Sequence, residues 1–177
     1  IALTRKQTET AQEALFNDKI NAAAEGLAAR RQVTRVIHEG KANETILTEW
    51  QDDLVTRAAA IDRLHGLAQE RPEATPRIAR QLSIYVRELS RERPPQFLQE
   101  TLSQDDFDEW LIEKVHRHSD LEKAAQVLGR LQKIPGSHIS KGDIDLRGCN
   151  LQRCDLRDLS FSEVSLQGAH LQGANLI

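Results

Sequence analysis

Apolar side chains return along this chain at two different spacings. From residue 2 to about residue 134 they recur every three or four positions, as on helices with one buried face, whereas over 143–177 they recur every fifth position. In residues 2–30, Phe16, Ile20, Ala23 and Leu27 keep helical spacing, and the turns before them carry Gln7, Thr10 and Ala14. This predicts one long helix whose polar first half projects from the body. Gly40 marks a loop. Residues 44–68 resume the helical period with Ile46/Leu47, Trp50, Leu54, Ala58, Ile61, Leu64 and Ala68, which predicts a second helix. Thr75-Pro76 then reads as a cap residue and a first-turn proline, with Ile78, Leu82, Tyr85/Val86 and Leu89 facing inward until Pro94-Pro95. Ser103 with Asp106 has the spacing of a capping box and Leu102 with Phe107 that of a hydrophobic staple, so a helix with Phe107, Trp110/Leu111 and Val115 inward is expected to end near His118. Ser119 with Glu122 opens the last one, which carries Leu121, Ala124/Ala125, Leu128 and Leu131 and closes at Ile134-Pro135-Gly136.

A period of five matches neither a helix nor a strand and signals a repeat architecture. The seven unit centres are Leu146, Leu151, Leu156, Phe161, Leu166, Leu171 and Leu176. Two residues before each stands Ile144, Cys149, Cys154, Leu159, Val164, Ala169 or Ala174. If each unit turns one corner, four units close a square coil with both sets of side chains inside. Successive coils then stack roughly 4.8 Å apart, with Leu146 under Leu166, Leu151 under Leu171 and Leu156 under Leu176. Small residues suit the second inward position because the interior cannot hold two large side chains per unit.

On these residues the stretch resembles the pentapeptide-repeat family, whose unit reads A-(D/N)-L-x-x. Ala174-Asn175-Leu176 matches it, and Cys149-Asn150-Leu151 and Cys154-Asp155-Leu156 match with Cys for Ala. The resemblance implies a mixed α and β fold: an α-helical domain over 1–140, built of a long N-terminal helix and helical pairs, then a right-handed quadrilateral parallel β-helix over 141–177, incomplete at its C-terminal end. The helical stretches TRAAAIDRLHGLAQERPEATPRIARQLSIYVREL, DLEKAAQVLGRLQ and LTRKQTETAQEALFNDKINAAAEGL resemble the region before the repeats in a bacterial group of the same family. In that group the region commonly follows transmembrane segments. The implied location is therefore cytoplasmic, with tethering to the cytoplasmic face of the inner membrane through segments absent from this sequence. Methionine is missing altogether, so a piece of a longer protein is expected, with repeats that either continue past Ile177 or bury their open end by self-association there.

Charge narrows the choice of function. The chain carries a formal −3, and five acids against three bases leave −2 over 143–177. Neither part has the basic excess of a nucleic-acid binder. No apolar run is long enough to span a membrane. Cys149 and Cys154 near His116, His118 or His138 raise the question of zinc, but C-x4-C lies outside the usual knuckle spacing and the register puts both thiols in the packed interior. His116 and His118 flank Arg117 at a helix end, His65 lies beside an apolar stripe, and Tyr85 and Trp50 read as core or boundary aromatics. The acid pairs Asp52-Asp53 and Asp105-Asp106 point about 100° apart on a helix and cannot act as a catalytic dyad. No phosphate loop or nucleophile elbow occurs, so no catalytic, cofactor-binding or metal residue is assigned and the chain is not expected to be an enzyme.

The expected function is thus a non-catalytic interaction or scaffold module that presents helical and repeat surfaces to a protein partner. One alternative is a DNA mimic that blocks a topoisomerase, implied by resemblance to quinolone-resistance members of the family. Its acidic stripe would be interrupted by Arg147, Arg153 and Arg157 among Asp143, Asp145, Asp155, Asp158 and Glu163. The other is the soluble part of a membrane-linked sensor or enzyme whose active part is absent from this chain.

Overall fold

A computed structural model of the chain describes residues 2–39, 43–97, 103–113 and 119–177. Helix α1 spans Ala2–Gly26. Phe16, Ile20, Ala23 and Leu27 are its buried side and the side chains described before residue 16 are all exposed. The helix stops four residues short of the expected residue 30, at Gly26, where a Cβ would stand 2.8 Å from that of Ala60. The absent side chain is what lets α1 lie closely on the next helix.

The largest departure from the sequence reading follows. Strands β1 (Arg30–Glu39) and β2 (Asn43–Asp52) form an antiparallel hairpin, where a loop and the start of a helix over 44–68 were expected. Helix α2 runs only over Leu54–Glu70. Thr45, Ile46, Thr48 and Trp50 favour an extended backbone, and Ile46/Leu47, Trp50 and Leu54 satisfied a helical spacing by coincidence. Asp53 caps α2 by accepting from the Thr56 amide at 3.1 Å. Trp50, expected at a core boundary, is 59% exposed on the hairpin.

A short 3-10 turn, Pro72–Ala74, leads into α3, Thr75–Glu92. Ala74 rather than Thr75 is the cap residue, so the helix begins one position earlier than its Thr-Pro signal suggests. Ile78, Ala79, Leu82, Val86 and Leu89 are buried. Helix α4, Gln104–Glu113, is capped by Ser103, whose Oγ accepts from the Asp106 amide at 3.2 Å. Leu102, Val115, His116 and His118 lie outside the described residues. Helix α5, Ser119–Leu131, buries Leu121, Ala124, Ala125, Val127, Leu128 and Leu131. Helices α2, α3 and α5 pack on one another, and α1 packs on α2.

The five-residue stretch yields very short strands. β3 is Ile144–Asp145 and β4 is Val164–Ser165, paired in parallel, with isolated parallel bridges at Asn150↔His170 and Asp155↔Asn175. Every pairing joins residues twenty apart. Gly148, Arg153, Asp158, Gly168 and Gly173, five or ten residues apart, all take a left-handed backbone. A corner at each of these positions leaves only about two extended residues per unit, which is why the strands stay short. Gly fits such a corner without strain, and Arg153 and Asp158 hold it at a cost of about 1–2 kcal/mol each.

Candidate functional site

The repeat meets the helices along one edge, and the contact follows the repeat's own period. The amides of Asp145, Asn150, Asp155 and Ser160, each five residues from the next, all donate to acceptors borne on helices. Asp145 N–H donates to Ser83 Oγ at 3.0 Å and Asn150 N–H to Ser90 Oγ at 3.1 Å. Asp155 N–H donates to Glu122 Oε2 at 3.1 Å and Ser160 N–H to the Gly129 carbonyl at 3.3 Å. In the following turn the equivalent amides of His170 and Asn175 donate to the carbonyls of Cys149 and Cys154, at 2.9 and 3.0 Å. The helices therefore supply to residues 145, 150, 155 and 160 the acceptors that the Cys149 and Cys154 carbonyls supply to His170 and Asn175.

Helix geometry makes this match. Ser83 and Ser90 are seven residues apart on α3, and Glu122 and Gly129 are seven apart on α5. Seven residues are two helical turns, so each pair shares a face about 10.5 Å apart along its axis. Ser83 and Ser90 are buried within the apolar stripe of α3. A buried amide must find an acceptor, and a serine reaches one without widening the contact. Further side chains bind the same edge: Gln126 Nε2 donates to the Asp155 carbonyl at 2.8 Å, Gln132 Nε2 to that of Ser160 at 2.7 Å, and Asn150 Nδ2 to that of Arg93 at 2.9 Å. Gly129 also permits close approach, since a Cβ there would lie 2.7 Å from that of Leu159.

Burial falls with distance from this edge. Ile144, Leu146, Cys149, Leu151, Cys154 and Leu156 are buried. Leu159, Phe161, Val164, Leu166, Ala169, Leu171 and Ala174 are half-buried. Leu176, grouped above with the inward residues, is 54% exposed. Both cysteines are free thiols. Burial pushes the Cys149 thiol up, against the opposing effect of the Ser90 hydroxyl.

Two sets of charges frame the helices and the repeat. On the repeat, Asp145 accepts from Arg147 at 2.9 Å and Asp155 from Arg157 at 2.7 Å, and these guanidinium hydrogen bonds hold both carboxyls at about 2. In the bundle, fully buried Asp120 accepts from Arg93 at 2.9 Å, Tyr85 at 3.0 Å and Arg57 at 3.2 Å. Burial alone would raise the Asp120 carboxyl, but these donors outweigh it and leave it lowered. Burial and the neighbouring Asp120 push the Tyr85 hydroxyl up. Arg57 also reaches Asp52 at 2.7 Å and the Ala29 carbonyl at 3.1 Å. The cluster thereby fixes the base of the hairpin to α2, α3 and α5. His65 is half-buried, and burial lowers it, with Arg130 acting in the same direction.

The sequence reading missed Ser83, Ser90, Glu122 and Gly129 as residues of the contact. Their visible signal is a pair of small or polar residues seven apart along an otherwise apolar helix face. Among the described residues no three His, Cys, Asp or Glu side chains are grouped to hold a metal ion, and no helix is long and apolar enough to cross a membrane. The family model for pentapeptide repeats matches residues 143–176 in eight copies, one more than the seven units counted from the spacing. No curated protein and no solved structure matches the chain. Residues 143–176, held on one edge by α3 and α5, are a pentapeptide-repeat segment.

Proposed function

We propose that this chain is a non-catalytic interaction module in which a right-handed quadrilateral β-helix grows from a helical base and offers its outer faces to a protein partner. The observation that carries this reading is the set of amides at Asp145, Asn150, Asp155 and Ser160 held by acceptors on α3 and α5. A repeat array needs a cap on its end, and a cap fitted at every fifth residue supports four sides to the turn. The twenty-residue offset of the parallel pairs supports the same stacking. Outward positions such as Gln167 are exposed, whereas Gln172, also exposed, accepts from buried Gln152 at 3.2 Å.

DNA mimicry gains little from the repeat surface, because Asp145 and Asp155 are each neutralised by an arginine two residues away. The test immobilises the chain beside its Gln167→Lys variant and compares the proteins each retains, with a DNA gyrase supercoiling assay run in parallel. A protein retained by the parent and lost with the variant supports the module. Identical retention, or inhibition of gyrase at micromolar chain, refutes it.

A further inference from the structure

Helix α4 stands apart from the other helices. Among the described residues it takes no substantial part in the packing that joins α1, α2, α3 and α5, and it lies on the repeat instead. Trp110 Nε1 donates to Gln96 Oε1 at 2.8 Å. The Arg153 guanidinium sits 3.2 Å from the centre of the Trp110 ring, and its Nη2 donates to the same Gln96 oxygen at 3.2 Å. Next to Arg153, a Cβ on Gly173 would stand 2.7 Å from Leu111 Cδ2 and 3.2 Å from Trp110 Cζ3, so the missing side chain is what admits the helix this closely.

The contact is built more like recognition of a ligand than like a core. Gly148, Gly168 and Gly173 take the left-handed backbone without strain, whereas Arg153 adopts it at φ 63°. Glycine is the unstrained choice there, and what the arginine adds is its guanidinium on Trp110 and Gln96. A strained non-glycine backbone held by its surroundings points towards function. The helix itself has ten residues, too few to stay folded alone in water. Its Asp105, Asp106, Asp108 and Glu109 are exposed, its Phe107, Trp110 and Leu111 are half-buried, and it contains no base. The chain leading towards it is held on the same face. Gln152, 4% exposed, accepts from the Gln96 amide at 2.9 Å and donates to the Gln96 carbonyl at 2.8 Å, and Phe97 meets the His170 ring edge-on at 5.8 Å.

We infer that the repeat face around Gln152, Arg153 and Gly173 is a binding site for an acidic amphipathic helix with adjacent aromatic and aliphatic residues, and that α4 fills it as the chain's own ligand. The chemistry of the face selects that occupant. Arg153 offers a cation to an aromatic ring and complements acidic flanks, and Gly173 leaves room for the aliphatic neighbour. Tethering keeps α4 at an effective concentration on the order of millimolar. The face therefore stays closed to other helices until one outcompetes α4 or α4 is released. Use of the site by a partner rests on the interaction-module reading, but the site itself does not. Its test needs no outside protein and can fail while the Gln167→Lys comparison succeeds.

The probe is a fluorescein-labelled peptide of residues 103–113, SQDDFDEWLIE. Fluorescence polarisation compares its binding to the 177-residue chain and to the Trp110→Ala/Leu111→Ala variant, in which α4 has lost its hold. The variant is expected to bind the peptide at least about tenfold more tightly than the parent, because no tethered helix competes. Adding Arg153→Gly to that variant should weaken the peptide at least about tenfold, although glycine suits the backbone there. In the otherwise unaltered chain, Arg153→Gly should speed amide exchange over residues 107–111 at least about tenfold and leave α3 and α5 unchanged. That reading does not depend on how the double variant folds. Equal affinity of parent and variant overturns the inference, as does a variant that fails to bind the peptide at about 500 µM. Peptide binding that survives Arg153→Gly, or α4 exchange that it leaves unaltered, overturns it as well.

Discussion

Ser90→Ala isolates one point of the contact between helix and repeat. Ser90 Oγ accepts the Asn150 amide at 3.1 Å, and both residues are buried, at 8% and 5% exposure. Alanine fits the helix, so the change removes the acceptor of the Asn150 amide and the hydroxyl beside the Cys149 thiol. A buried amide left without a partner costs about 1–3 kcal/mol, and alanine returns about 0.5 kcal/mol of helix propensity over serine. The expected net loss is about 0.5–2.5 kcal/mol in urea unfolding, with an unchanged slope. Hydrogen exchange gives the local reading: the Asn150 amide should exchange at least tenfold faster, while the His170 amide, held by the Cys149 carbonyl at 2.9 Å, should change much less. Ser90→Thr keeps an acceptor and should restore protection at Asn150. Stability within about 0.3 kcal/mol of the parent, together with unaltered Asn150 exchange, would show that the serine does not hold the edge.

Gly129→Ala should destabilise by about 1–3 kcal/mol through overlap with Leu159, whose Cβ lies 2.7 Å from the added carbon; in a double-mutant cycle with Leu159→Ala the penalty should largely vanish, and additivity within about 0.5 kcal/mol would refute the close approach. The Asp145 carboxyl is held at about 2 by Arg147. Its folded value lies below the unfolded one, so the stability it contributes is complete above about pH 4 and lost as pH falls towards 2. Arg147→Ala should remove that contribution, lowering stability from pH 6 to 8 while leaving it nearly unchanged near pH 2, so that the acid limb flattens; an unaltered acid limb would contradict this. Cys149 and Cys154, at 1% and 3% exposure, should react with an aromatic disulfide reagent at least a hundredfold more slowly in buffer than in urea, and equal rates would place the thiols outside the packed interior.

Much of this fold was legible where a spacing had one interpretation. A five-residue period admits no helix or strand, so Leu146, Leu151 and Leu156 declared themselves without structural help. In α3 and α5 the buried residues Ile78, Leu82, Val86, Leu89 and Leu121, Ala124, Leu128, Leu131 repeat over three turns or more, α3 between prolines that fix its limits and α5 ahead of Pro135. The hairpin was hidden because Ile46, Leu47, Trp50 and Leu54 fit a helix as well as a strand, and four residues cannot separate periods of 2 and 3.6. Deciding it required seeing that Val33, Thr34, Val36 and Ile37 could pair with Thr45, Ile46, Thr48 and Glu49 across ten rungs, which is a long-range property. The capping residues were hidden for a related reason. A serine in a helix is unremarkable until the helix is aligned with an edge that presents an amide every five residues.

In the proposed β-helix a coil gains its hydrogen bonds from the coil beneath it, so the first coil must find them elsewhere or expose its edge. Here α3 serves the amides of Asp145 and Asn150 and α5 those of Asp155 and Ser160. On that reading two helices imitate a missing coil, although their 1.5 Å rise has nothing in common with a strand's spacing. The imitation works because only one acceptor per side is needed. A seven-residue step on a straight helix can serve two successive sides, but a third would lie around the next corner, beyond the reach of the same helix. One helix can therefore hold two sides, and four sides require a pair. The packing of α3 on α5 provides that pair, and it ties the order of the repeat to the integrity of the bundle: loosening α5 should release the Asp155 and Ser160 sides before those held by α3.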